Sequence, residues 1–438
     1  MRADAFGARP VYYTVEGDGS LRTARSAWPL IAAKKEPALD PAAAARALCH
    51  CLPAERSLFR DVARVPQGHV LVFSSEGTTL DREWAPPSPS PTPEAHTPEE
   101  LLRLLRSAVR RLRPDTRAAC SLSGGLDSAT VMALLAQQGP VRAYTLVDDF
   151  ADDGEVERAR RLAGRAGVEH VEIPIREEEL PEHMAPAVAA CEDLLFNGRA
   201  VASCLFFRAL RRLAEPVVLS GAGADEMLAG HPESLSSFDE RRREEADLAR
   251  TLLRSDVAVI CPPVSAEGPD DLASRRLRLV TVMLPELTLP PECRASRAAG
   301  VEVRLPFLEE HVADFALRTP ISLLLREGLG KHLLREAVRG LVPEELRLGP
   351  KSPRLAPGAR SPRARARWLG LFAATLRRER VEALGFLDPA RVERFLDDFA
   401  GAGPEEPGFA AREAVLMRLT SLAMLQDRIE KRAWPASS

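Results

Sequence analysis

Six residues constrain this chain more than any other stretch. Ser123-Gly124-Gly125-Leu126-Asp127-Ser128 joins a short apolar run, Ala118 to Leu122, to a segment of helical period, Ser128 to Ala136. Paired glycines permit a sharp strand-to-helix turn and let the backbone approach a ligand closely. The first N–H groups of the helix lack intrahelical acceptors and favour an anion. Ser123 and Ser128 add hydroxyl donors for its oxygens. Asp127 would repel a bare phosphate, so its place in the turn calls for a bridging divalent cation. The turn lacks both the Gly-Lys-Ser/Thr ending of a Walker loop and the Gly-x-Gly-x-x-Gly dinucleotide spacing, so neither of those designs applies.

The segments that follow repeat the same alternation. Val141 to Val147, Val171 to Ile175 and Val217 to Leu219 read as strands, with a helix over Gly154 to Ala166. Strands alternating with helices imply an α/β fold whose mostly parallel sheet is covered on both faces. Beyond about residue 240 the pattern is mainly helical. Upstream, Pro86-Pro87-Ser88-Pro89-Ser90-Pro91-Thr92-Pro93 can form neither a helix nor a central strand and reads as an exposed linker. Thr97-Pro98-Glu99-Glu100 then opens a helix: Thr97 caps, Pro98 suits the first position and Glu100 completes a capping box. Leu101, Leu102, Leu105 and Val109 share one face of it. Ahead of the linker, Pro10 to Val15 and His69 to Phe73 are extended, Gly17-Asp18-Gly19 is a turn, and an alanine-rich helix lies near Pro41 to Leu48. The 438 residues thus divide into a β-rich segment 1–85, a linker 86–97 and a large unit 98–435.

A net charge of −3 gives no whole-chain reason to expect nucleic-acid or membrane partners. No apolar run reaches the roughly 20 residues that span a bilayer. The seven cysteines show no disulfide spacing, and Cys49-His50-Cys51 has no second ligand pair to complete a zinc site. These features fit a reduced, cytoplasmic protein. Lys34, Lys35, Lys331, Lys351 and Lys431 are the only lysines among 60 basic residues, so a lysine is the exception here.

The Ser123–Ser128 turn resembles the SGGxDS pyrophosphate loop of the N-type ATP pyrophosphatases. Leu219-Ser220-Gly221-Ala222-Gly223-Ala224-Asp225-Glu226 resembles the SGxGxDE element of asparagine synthetases. Gly300-Val301-Glu302-Val303-Arg304-Leu305-Pro306-Phe307-Leu308, Gly330-Lys331-His332-Leu333-Leu334-Arg335-Glu336-Ala337 and Leu348-Gly349-Pro350-Lys351-Ser352 continue that family's order. Asp4 to Tyr13 and Val65-Pro66-Gln67-Gly68-His69 resemble the later part of the family's glutaminase domain. The resemblance implies an adenine-nucleotide α-hydrolase-like (PP-loop) synthetase domain with a largely helical C-terminal part. A truncated, β-rich glutaminase-like (Ntn) domain would precede it, without the catalytic N-terminal cysteine and with an apolar sheet face exposed unless something covers it.

What the resemblance implies for the site is specific. Leu122, Ser123, Gly124, Gly125, Leu126, Asp127, Ser128, Val147, Ser220, Gly221 and Asp225 would hold ATP, with Asp127 and Asp225 also on Mg2+. Lys331 and Lys351 would face the leaving pyrophosphate. Glu302 is a candidate for substrate or base work, or for an ion pair with Arg304. Ala222 stands where asparagine synthetases carry glutamate and β-lactam synthetases tyrosine. Cys293-Arg294-Ala295-Ser296-Arg297-Ala298 replaces the family's Asp-Arg-x-Ser-Met-Ala, with arginine for methionine. The implied activity is adenylation of a peptide or small-molecule carboxylate followed by attack of an amine, with AMP released. Missing glutaminase machinery and Ala222 direct the expectation to lasso-peptide macrolactam synthetases, which work with a leader peptidase and recognition protein. Ammonia-dependent asparagine synthesis, another amide or β-lactam synthetase, and a non-catalytic nucleotide- or peptide-binding partner are the alternatives.

Overall fold

The computed structural model describes residues 1–88, 93–148, 153–230, 232–264, 271–349 and 361–434. Near the N-terminus Val11–Val15 (β1), Leu21–Ala24 (β2) and Ala63–Val65 (β3) pair antiparallel in the order β2-β1-β3. The Gly17–Gly19 turn closes the first hairpin, and Gly19 takes a left-handed φ of +81°. His69–Ser74 (β4) and Gly77–Arg82 (β5) form a second hairpin. Asp40 caps the helix Pro41–Leu48 by accepting from the N–H groups of Ala42 and Ala43.

The middle of the proline-rich run, residues 89–92, lies outside the described residues. The helix that follows spans Pro98–Leu112, with Thr97 accepting from the Glu100 N–H at 3.2 Å. Half of the expected capping box is made. The Glu100 carboxylate turns instead to a two-point bond with Arg103. Leu101, Leu105, Ala108 and Val109 are buried and Leu102 is half-buried. Each buried leucine contributes about 1.5–3 kcal/mol.

The central sheet has five parallel strands: Ala118–Ser121 (β6), Val141–Asp148 (β7), Glu169–Ile175 (β8), Val217–Leu219 (β9) and Glu302–Arg304 (β10). Their order is β10-β9-β6-β7-β8. The chain starts in the middle at β6, runs outward through β7 and β8, then crosses back to β9 on the other side. A crevice therefore opens beyond the C-terminal ends of β6 and β9, where ligands of open α/β sheets bind. β10 lies in the segment of mainly helical pattern. Its three residues carry two charges, so pairing with β9 rather than apolar periodicity makes it a strand.

The apolar side of the N-terminal segment is covered. Val11, Tyr12 and Leu71 are buried. Trp28 packs 5.5 Å from Phe59 and 5.9 Å from Trp434, and its indole N–H donates to the Ala189 carbonyl at 2.8 Å. The helices of the large unit thus cover this segment, and one apolar cluster contains residues of both. Val15, Val72 and Phe73 remain exposed toward strand ends. No helix among the described residues is long and apolar enough to cross a membrane.

Candidate active site

The loop after β6 is anchored at its base. Leu122 N–H donates to the Tyr144 carbonyl of β7 at 2.8 Å, and the buried Thr145 hydroxyl donates to the Leu122 carbonyl at 2.7 Å. Gly124 then turns left-handed (φ +75°), and a Cβ there would lie 2.2 Å from the Glu155 carbonyl oxygen. Only glycine satisfies both conditions. Ser123 and Ser128 hydroxyls lie 3.0 Å apart, and the Ser128 hydroxyl also takes the Ser123 N–H and donates to the Gly125 carbonyl. These bonds fix the shape of the turn. The first-turn N–H groups of the helix Leu126–Ala136 are the anion donors this geometry supplies.

Three charged side chains meet beyond the loop. Asp127 sits in the first turn of Leu126–Ala136. Asp225 follows β9 at the start of the short helix Ala224–Met227. Lys331 precedes the helix His332–Ala337 in a left-handed conformation, φ +61°. Its Nζ lies 2.5 Å from Asp127 Oδ2 and 2.6 Å from Asp225 Oδ1. Burial alone would lower the Lys331 pKa, but the two carboxylates outweigh it and hold the ammonium above the ordinary lysine range. Gly230 must be small for this contact, because a Cβ there would lie 2.0 Å from Asp225 Oδ1 and 2.2 Å from Lys331 Cε.

Asp127 Oδ1 is buried without a hydrogen-bond partner among the described residues. Two carboxylates aimed at one cation-sized position, with a spare buried oxygen, fit a hard divalent cation that takes its remaining ligands from phosphate oxygens. The ammonium of Lys331 stands at that position here.

The other expected site residues fall as follows. Ser220 is buried, and its hydroxyl accepts the Ala222 N–H at 3.3 Å. Gly221 lies against the loop after β6; a Cβ there would be 2.9 Å from the Ser128 nitrogen. Val147 is half-buried near the C-terminal end of β7, opposite Pro174. Ala222 is half-buried against the apolar cluster that also holds Leu122 and Leu126. Lys351 lies outside the described residues.

Glu302 is not brought to this group. It starts β10 opposite Val217, at the end of the sheet away from the loops. Its carboxylate grips Arg304 through two contacts, 3.0 and 3.1 Å, and Arg9 stands 3.8 Å away. The bond to Arg304 holds its pKa below the usual carboxylate value. Of the two roles open to Glu302 in the sequence, this geometry is that of the ion pair. Sequence reasoning passed over Arg335, which is buried beneath Lys331. The sequence carries it inside the Gly330–Ala337 element, four residues after Lys331, without marking a role for it.

Residues 100–427 match the family model for asparagine synthase. The chain belongs to the asparagine synthase family. Asparagine synthetase [glutamine-hydrolyzing] 3 of Bacillus subtilis (strain 168) is 25% identical over 405 residues, covering 80% of this chain and 64% of that protein. Human asparagine synthetase [glutamine-hydrolyzing] is 28% identical over 273 residues, 59% of this chain and 43% of that one. The chain therefore spans less than two thirds of the length of these relatives. A solved structure of NMN synthetase from Francisella tularensis is 20% identical over 32% of this chain and 59% of that one, with a TM-score of 0.24, too low to bear on the fold.

Proposed function

We propose that this chain is an ATP-dependent synthetase that adenylates a carboxylate, couples it to an amine and releases AMP and pyrophosphate. The observation that carries the reading is the convergence of Asp127, Asp225 and Lys331 beyond β6 and β9, next to a loop whose N–H groups suit phosphate. A magnesium ion, when bound, would neutralise phosphate oxygens. Asp127 and Asp225 would hold it. Lys331, released from between them when the ion binds, would place positive charge beside the pyrophosphate as negative charge builds there; stabilisation of this kind is a large part of catalysis. Family membership and the named asparagine synthetases among its relatives support the same chemistry.

For the acceptor, we propose the amine of the substrate peptide itself, closing a macrolactam as in lasso peptides, with a leader peptidase and recognition protein as partners. Ala222 favours this reading. A methyl group can neither accept a proton nor bind an amine, and a tethered amine gains effective concentration without help from the protein. The relatives' names favour a second reading, formation of asparagine from aspartate and ammonia. The two separate in one assay. The purified chain is incubated with ATP, magnesium, aspartate and ammonium, and AMP and asparagine are read by mass spectrometry, with Lys331→Met as control. Asparagine that disappears in the control ends the macrolactam reading. AMP and a peptide lighter by one water, formed only from a leader-free precursor peptide, establish it. Absence of AMP with every acid and amine, despite ATP binding, would overturn both.

A further inference from the structure

Lys331 is held from behind by a second cation. The Arg335 guanidinium is buried, and its partners are three backbone carbonyls: Nε donates to Gly330 at 2.9 Å, and Nη1 donates to Arg347 at 2.5 Å and Gly349 at 2.9 Å. The Gly330 carbonyl belongs to the peptide that precedes Lys331. The opposite side of that peptide, the Lys331 N–H, donates to the Leu228 carbonyl at 3.1 Å. Leu228 lies three residues after Asp225. One peptide plane is thus pinned at both ends, to Arg335 and to the segment that carries Asp225.

This peptide sets the φ angle of Lys331, which at +61° lies in the left-handed region. That conformation is strained for a non-glycine residue and persists only where the surroundings impose it. The chain is also tightly packed just before Lys331, since a Cβ at Gly330 would meet the Ala229 carbonyl oxygen at 2.1 Å. The far side of the clamp is itself braced. Arg347 bonds to Glu336 at 2.8 Å and Glu344 at 2.6 Å, which fixes the end of the helix Glu344–Leu348. Burying a guanidinium against neutral carbonyls is a poor source of stability. Its distinctive effect is geometric.

We propose that Arg335 is a positioning residue that imposes the left-handed backbone of Lys331 and so seats the Lys331 ammonium between Asp127 and Asp225. Arg335 acts through Lys331. Its catalytic consequence rests on the synthetase reading above, whereas the seating does not.

The small number of lysines makes the test direct. The folded protein is exposed briefly to acetic anhydride, and acetylation of Lys331 and Lys34 is compared by peptide mass spectrometry. Lys34 lies in the N-terminal segment, bonded to Thr14 at 2.7 Å, and reports general loosening. In Arg335→Gln the ratio of Lys331 to Lys34 labelling should rise about tenfold over the unmodified sequence, as expected for local opening. An unchanged ratio overturns the proposal, whether both sites stay protected or both rise together. Arg335→Lys is the milder variant should Arg335→Gln fail to fold; a lysine cannot span three carbonyls, so the ratio should still rise. No substrate enters this measurement, so its outcome is independent of the adenylation reading. Where turnover is measurable, Arg335→Lys should lower kcat for AMP formation about a hundredfold, with KM for ATP within about threefold, the pattern of lost transition-state placement. A raised KM with unchanged kcat would also overturn the proposal.

Discussion

At Lys331 one ammonium neutralises two carboxylates that the fold brings together. Asp127 and Asp225 side chains are 16% and 24% exposed, so water does little to separate their charges. Lys331→Met should therefore cost roughly 3 kcal/mol in urea unfolding, the low end for breaking a buried pair. Millimolar magnesium should raise the melting temperature of that variant more than that of the unmodified sequence, because the ion can enter the position the ammonium left. Equal shifts would show that the two aspartates do not form a cation seat. Glu302 is the contrasting case. Its side chain is 47% exposed and its partner Arg304 is two residues away, so Glu302→Gln should cost less than about 1 kcal/mol after solvent screening. The sign follows from its depressed pKa: the stabilisation is present above the unfolded value of about 4.3 and is lost as pH falls through the folded one. AMP formation should be unaffected, since the carboxylate lies at the far end of its strand. The aspartates and Lys331 were legible because their motifs sit at strand and helix ends. Arg335 was not, because in an arginine-rich chain only its three-dimensional partners distinguish it.

The elements around the site divide by how much of their identity is local. β6, the loop and the helix Leu126–Ala136 follow from apolar run, glycines and helical period, and the sequence places them to within two residues. β10 does not, because a three-residue edge strand with charges at both ends has no period to read. The loop itself combines both kinds of information. Its glycines are visible in the sequence, but the reason Gly124 tolerates no side chain is the helix Asp153–Ala166 packed against it. Gly124→Ala must place a methyl group in a left-handed residue and into the Glu155 carbonyl. We expect a loss of more than about 2 kcal/mol in chemical denaturation. Nucleotide affinity should fall at the same time, because relief of the clash moves the N–H groups of the loop. A variant with undiminished stability would mean that the helix can shift away and that the turn is not set by this contact.

Across the whole molecule, the N-terminal segment is locked to the large unit by a buried polar knot as well as by apolar packing. Its centre is His50, which takes a left-handed φ of +55° just after the helix Pro41–Leu48. His50 Nε2 lies 2.8 Å from Glu245 Oε2 and 2.7 Å from Arg418 Nη1. Arg418 also donates to the Ala47 carbonyl and lies over the Phe196 ring, and Arg242 donates to the His50 carbonyl at 3.2 Å. The knot thereby ties the helices Pro232–Leu252 and Phe409–Glu430 to a turn that the sequence presented only as a defective metal motif. Burial first, then Arg418 and Arg242, push the imidazole pKa well below its ordinary value, so His50 is neutral in the folded chain at pH 7. Once unfolded, it regains a pKa of about 6.5 and binds a proton as the pH falls below that. The unfolded state then holds more protons than the folded one, and stability declines from pH 6.5 downward. Glu245 acts in the opposite sense. Burial raises its pKa, so its contribution is lost as pH rises through the folded value, which is why the comparison must be made between variants. His50→Gln keeps an amide that can accept from Arg418 and donate to Glu245, and removes the titration. Between pH 7.5 and 5.5 the urea midpoint of the unmodified sequence should fall more steeply than that of His50→Gln. Parallel pH profiles would mean that His50 is protonated within the fold, with Glu245 as its counter-ion and Arg418 displaced from Nε2.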